Sequence, residues 1–165
     1  MDDEYKQFLE KKHGPSDWPR ATVHRSRRLI RDFELDGSEI NGWTLERVRH
    51  DELPKQLVIH SLWRRDESGN ELLAIDVFVC GSVKGARDQM LEVLGDFQSG
   101  VVERDAGKGT PGEIAFALGD TMVLFVRLNL VVLVRNAGPK VVSVRPACRA
   151  LDTRLLRWGQ SRQSK

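Results

Sequence analysis

The chain has 165 residues, 40% of them hydrophobic and 30% charged, with a formal net charge of +2. A chain near this length buries about 70% of its unfolded surface and can build a core without metal or disulfide staples. The composition excludes the low-hydrophobicity class of disordered chains, and the net charge by itself indicates neither a nucleic-acid nor a membrane partner. The charge is nevertheless unevenly spread: residues 51–120 hold seven Lys/Arg against thirteen Asp/Glu, whereas residues 121–165 hold nine against one, Asp152. One surface is therefore expected to be distinctly basic.

In chain order, residues 2–12 suit a short helix with Tyr5, Phe8 and Leu9 on one face, ended by His13-Gly14-Pro15-Ser16. Residues 15–42 are irregular: Pro15 and Pro19 flank Trp18, and Val23, Leu29, Ile30 and Phe33 sit among arginines. Residues 1–42 thus read as an N-terminal arm lying over the domain or partly flexible. From Gly42 the pattern changes to period two, the signal of half-buried strands. A first strand starts at Trp43, Leu45 and Val48 and ends at Pro54. Leu57–Arg65 and Glu71–Cys80 then form a β-hairpin about the polar turn Asp66-Glu67-Ser68-Gly69-Asn70.

After Gly81, Ala86, Met90, Val93, Leu94 and Phe97 make the stripe of an amphipathic helix over Val83–Phe97. A Gly-rich stretch, Gly100–Gly112, follows, with a short strand at Val101–Glu103. Strands are expected at Glu113–Leu118, Thr121–Arg127 and Leu130–Arg135. Met122–Val134 is apolar apart from Arg127 and Asn129, which marks a central strand pair buried on more than one side. A strand at Val141–Val144 and a helix over Pro146–Trp158, with Ala147, Leu151, Leu155 and Trp158 inward, complete the domain.

Ser82-Val83-Lys84-Gly85-Ala86 and Ser143-Val144-Arg145-Pro146-Ala147 each follow a hairpin and open a helix, so the chain reads as two tandem β-β-α units. The fold predicted is α+β: an antiparallel sheet covered on one face by two amphipathic helices, a two-layer sandwich over residues 43–159, with a frayed tail at 160–165.

Gly119-Asp120, the run Phe125–Val134 and the helix Ala147–Leu156 together resemble a class of bacterial exported or lipoprotein-type domains with no agreed activity. The resemblance covers roughly the last 50 residues and implies an envelope-side location, not a reaction. Leu128 stands where glycine is expected in the turn. No run of eighteen apolar residues occurs, and Met1–Glu10 is acidic and polar. The sequence as written therefore predicts neither a transmembrane segment nor an export signal, and reads as cytoplasmic unless a signal has been removed.

Candidate chemistry is sparse. Cys80 and Cys148 read as two separate apolar fillers, with a single bridge the alternative. Gly107-Lys108-Gly109-Thr110 lacks the first glycine of a phosphate loop, since Val102 stands there, and reads as a surface loop. His13, His24, His50 and His60 are dispersed, so no metal site is predicted, and His60 reads as a solvent-side strand histidine. No nucleophile elbow is present, and Ser61 and His60 point to opposite faces of a strand.

Asp76 and Arg127 are polar residues inside apolar runs, and burying them calls for partners, so they are expected to form a buried cross-strand pair. Arg25, Arg27, Arg28 and Arg31 in the arm and Arg149, Arg154 and Arg157 in the last helix are the candidate interaction residues. Arginines can contact phosphates, but with a pI of 8.7 and no nucleic-acid motif a solvated helix face is favoured over a nucleic-acid site.

No catalytic, cofactor-binding or metal residue is assigned, and no cofactor is predicted. The sequence points to a non-enzymatic binding or protein-interaction module, its partner another protein or a second copy. The alternatives are polyanion binding through the arginines, and a small-ligand binder or enzyme with a pocket between sheet and helices.

Overall fold

The period-two segments pair into a single antiparallel sheet of seven strands in the computed structural model, which describes residues 2–14, 29–65, 68–97 and 101–161. In chain order the elements are α1 (Asp3–His13), β1 (Trp43–Leu53), β2 (Gln56–Arg65), β3 (Ser68–Cys80), α2 (Val83–Asp96), β4 (Glu103–Asp105), β5 (Ile114–Leu118), β6 (Met122–Arg127), β7 (Leu130–Asn136) and α3 (Arg145–Ser161). The strand order is β1-β2-β3-β7-β6-β5-β4, so the two hairpin-connected sets meet where β3 pairs with β7.

The α+β class and the antiparallel sheet are as expected, but the helices do not share a face. Along β6, Met122, Leu124 and Val126 join the core under α2, while Val123 and Phe125 join the core under α3. The two helices therefore lie on opposite sides of the sheet, making three layers where the sequence suggested two. The reason is in β6 and β7, whose residues from Met122 to Val126 and from Leu130 to Val134 are all buried. A strand apolar on both faces needs a cover on each, and a one-sided sandwich would leave half of these side chains in water. The two strand-strand-helix successions are present, and their helices simply fall to different faces.

Helices α1 and α2 begin where the sequence provides a cap. The Asp2 carboxylate accepts from the Tyr5 amide at 2.7 Å, and Gly14 at φ 64° closes α1 in the left-handed region. The Ser82 hydroxyl accepts from the Gly85 amide at 2.9 Å and starts α2, which buries Ala86, Met90, Leu91, Val93 and Leu94. Helix α1 adds Leu9 to that core, and α3 buries Ala147, Cys148, Leu151 and Leu155 on the other side. Each such large side chain is worth about 1.5–3 kcal/mol when fully removed from water.

Residues 30–40 lay Ile30, Phe33 and Ile40 over the α3 side of the sheet beside Trp43, Ile59 and Trp63. The fully buried Asn129 side chain fastens them: it accepts from the Ile30 amide at 2.8 Å and donates to the Ile30 and Cys80 carbonyls at 2.6 and 2.7 Å. Its neighbour Leu128 takes φ 55° in the β6-β7 turn where glycine was expected. A left-handed non-glycine residue costs about 1–2 kcal/mol. Leu128 is only 4% exposed within the α3-side core, and that burial offsets the cost.

Three local expectations differ. The strand predicted at Val141–Val144 is irregular because the Asn136 side chain takes both backbone groups of Val142, accepting from its amide at 2.9 Å and donating to its carbonyl at 2.7 Å. The short strand near residue 101 lies instead at β4, and Gly69 and Asn70 belong to β3 rather than to the preceding turn. No helix among the described residues is long and apolar enough to cross a membrane.

Candidate functional site

On the α2 side of the sheet, the alternation of β1, β2 and β3 turns polar groups outward, because the opposite faces of these strands are claimed by Leu45, Ile59, Trp63, Leu73 and Ile75. Helix α2 reaches one end of this half-face, where Phe78 and Cys80 join its core and Gln56 bonds Gln89. His60 stands at its centre on β2. Its Nδ1 lies 2.7 Å from Asp76 Oδ1 on β3, and its Nε2 lies 3.1 Å from Asp51 Oδ2 on β1. Arg135 on β7 donates to the other Asp76 oxygen at 3.0 Å, and Arg49 donates to Asp51 at 3.0 Å. One chain of contacts thus crosses four strands, in the order Arg49, Asp51, His60, Asp76, Arg135. Beyond it, Arg64 donates to Glu46 at 2.5 Å.

The register makes this chain. Arg49 is opposite His60, and His60 is opposite Asp76, so their side chains leave the same face at strand spacing. Asp76 is the anchor, its side chain 13% exposed against 34% for His60 and 48% for Arg135. An aspartate this buried requires donors, and two elements supply them. A doubly protonated imidazole donates to both carboxylates, whereas the neutral ring has a single N–H to offer.

The buried pair expected between Asp76 and Arg127 does not exist. Asp76 faces the α2 side and pairs with His60 and Arg135, while Arg127 faces the α3 side and grips Asp152 of α3 through two hydrogen bonds of 2.7 and 2.8 Å. Each charge found a partner, but strand parity assigned them to different faces. Among the described residues, the candidate interaction arginines are not gathered into one site. Arg25, Arg27 and Arg28 lie outside the described residues. Arg149 and Arg157 are exposed on α3, and Arg154 reaches Ser38 at 3.5 Å and Asp36 at 3.6 Å. Arg145, at the start of α3, is a brace: it donates to Asp105 at 2.7 Å and to Asp120, and these bonds hold its guanidinium above its ordinary value.

Ser61 is committed elsewhere. It donates to the Ile75 carbonyl and accepts from the Trp63 indole on the α3 side, so it cannot serve His60 as a nucleophile. Among the described residues, no group of three His, Cys, Asp or Glu could hold a metal ion. Cys80 and Cys148 are both free and buried, and burial pushes each thiol up to about 12. At neutral pH both stay protonated and poorly nucleophilic. Gly107–Thr110 forms a loop closed by the Thr110 amide and hydroxyl on the Gly107 carbonyl.

Sequence reasoning missed Asp51, Arg135 and Arg49. The visible signal was the polar alternation of β1, but which charges face each other depends on a register no single segment carries. Comparison with known proteins finds no matching family model, no similar curated protein and no similar solved structure.

Proposed function

We propose that the chain is a non-enzymatic protein-interaction module whose docking surface is the open half-face of β1, β2 and β3, and that a second copy of the chain is its simplest partner. One observation carries this reading: the face holds three arginine-carboxylate pairs, Arg49–Asp51, Arg64–Glu46 and Arg135–Asp76, in balanced number. An interface made by the same patch on two copies must be self-complementary. A face with acids and bases side by side meets that condition, since each pair can exchange partners with its counterpart across a two-fold axis.

Three strands about 4.8 Å apart and about ten residues long give a flat patch of roughly 400–500 Å² per copy. That is below the roughly 800 Å² per partner of a stable complex, so the association is weak and reversible. Exposed ion pairs contribute about 0–1 kcal/mol each and are screened by salt, so the dimer is favoured at low ionic strength.

Sedimentation velocity from micromolar to millimolar protein tests this. The expected result is a concentration-dependent dimer that weakens in 0.5 M salt and disappears in the double variant Arg49→Glu, Arg135→Glu, which gives the face an excess of acids. A monomer at every concentration, or a dimer that survives both changes, overturns the reading.

A further inference from the structure

We infer that His60 makes the docking face responsive to pH, so that two copies of the chain associate when its imidazole is neutral and separate when it is protonated. This regulation acts on the half-face of β1, β2 and β3, and so rests on that face being the self-association surface. Histidine is the side chain whose charge ordinarily changes between about pH 5 and pH 8. His60 stands on the face with each ring nitrogen against a carboxylate, Nδ1 at 2.7 Å from Asp76 and Nε2 at 3.1 Å from Asp51.

The register fixes the charged groups around the ring. From β1, Asp51 contacts it and Arg49 stands directly opposite, with Arg47 two residues along the strand. From β3 comes Asp76, and from β7 comes Arg135, which holds the second Asp76 oxygen at 3.0 Å. On β2 itself, Arg64 is occupied by Glu46, and α2 bonds this face through the uncharged Gln89. The two carboxylates differ in setting. The Asp76 side chain is 13% exposed and has Arg135 as a second donor, whereas that of Asp51 is 40% exposed.

A protonated ring donates to both carboxylates and ties β1 to β3. A neutral ring has one N–H, and the shorter, more buried contact keeps it: Nδ1 donates to Asp76, because a carboxylate short of donors costs most where water is scarce. Nε2 then turns a lone pair toward Asp51, two acceptors face each other, and the Asp51 carboxylate is released. Arg49, 67% exposed, and Arg135, 48% exposed, are the groups of a second copy that can take it. Protonation reverses this twice over. It withdraws the Asp51 acceptor, and it adds one positive charge to each of the two facing patches. Carboxylates ordinarily titrate near about pH 4, below this range, so the imidazole is the group that changes state.

Sedimentation velocity of the full chain at low ionic strength, at about pH 5.5 and about pH 8, tests the switch. An exposed ion pair is worth a factor of about one to five in an equilibrium, and a two-fold axis makes two of them. The dimer is therefore expected to be about fivefold tighter at the higher pH. His60→Gln, which can hydrogen-bond but not take a charge, should associate equally at both pH values. His50→Gln, on the opposite face of β1, should keep the pH dependence of the parent. Nitrogen NMR of the parent at the higher pH should find His60 as the Nδ1–H tautomer. A dimer indifferent to pH, a pH dependence that persists in His60→Gln, or an Nε2–H tautomer overturns the switch and leaves the docking face standing. A monomer at both pH values overturns the docking face and the switch together.

Discussion

The two halves of the sheet are treated oppositely. In β6 and β7, consecutive residues are buried on both faces between α2 and α3. In β1 and β2, burial largely alternates, with Val58 and Ile59 the one consecutive buried pair, and Arg49, Asp51, Arg64 and Glu46 form ion pairs on the other face. The first half supplies stability, and of its strands only the end of β7 reaches the docking face, through Arg135. The second keeps one face for the core and presents the other, which is where a binding surface can be placed without a large loss of fold stability.

The sharpest way to break this comparison is to remove a side chain from each half. Phe125→Ala empties a fully buried site in β6 and is expected to cost about 3–5 kcal/mol, while Leu62→Ala, on the half-buried open side of β2, should cost about 1 kcal/mol or less. Urea denaturation followed by tryptophan fluorescence measures both, and equal losses would mean the halves are not so divided.

Next in size are the ion pairs. Arg127 and Asp152 are each 12% exposed, so Asp152→Ala strands a guanidinium and should cost about 3 kcal/mol. Arg127→Met with Asp152→Leu should restore most of that loss, because the pair is then replaced rather than broken. Asp51→Asn on the open half should change stability by under about 1 kcal/mol.

Acid titration gives a smaller effect. Burial raises the Asp88 carboxyl, but its bonds to Lys6 and Lys84 outweigh that and hold it below its ordinary value of 3.8. A lowered carboxyl contributes stability above its unfolded value and loses it as pH falls through the folded one. The stability curve of Asp88→Asn should therefore be flatter than that of the parent below about pH 4, as read by urea midpoints. The smallest change is chemical: the thiols of Cys80 and Cys148 should react with a disulfide reagent only slowly in the native chain and at full rate in denaturant.

Much of this division was legible in the sequence. The run from Met122, apolar apart from Arg127 and Asn129, and the period-two pattern from Gly42 were both readable, and the run already implied burial on more than one side. That clue argued for helices on both faces, but the matching Ser-Val openings of the helices suggested a repeat with a common side. The choice of face is set by where the chain leaves a strand end, which no local pattern records. The Asp76–Arg127 pairing failed for a related reason: burial in an apolar run can be read from sequence, whereas the face depends on counting parity through bulges and turns. The contact chain through His60 was hidden because its members come from positions 49 to 135, and their meeting is a property of register.

The Asn129 amide joins Ile30 and Cys80, residues 99 and 49 positions away, from a turn that exists only once β6 and β7 have paired. Such a junction cannot form early. The loop it closes carries a large entropic cost until the sheet has already brought its ends together. Docking of residues 30–40 is thus a late step in folding, and the Asn129 contact acts as a latch on the finished molecule. Its loss would shorten the native lifetime far more than it would slow the approach to the native state.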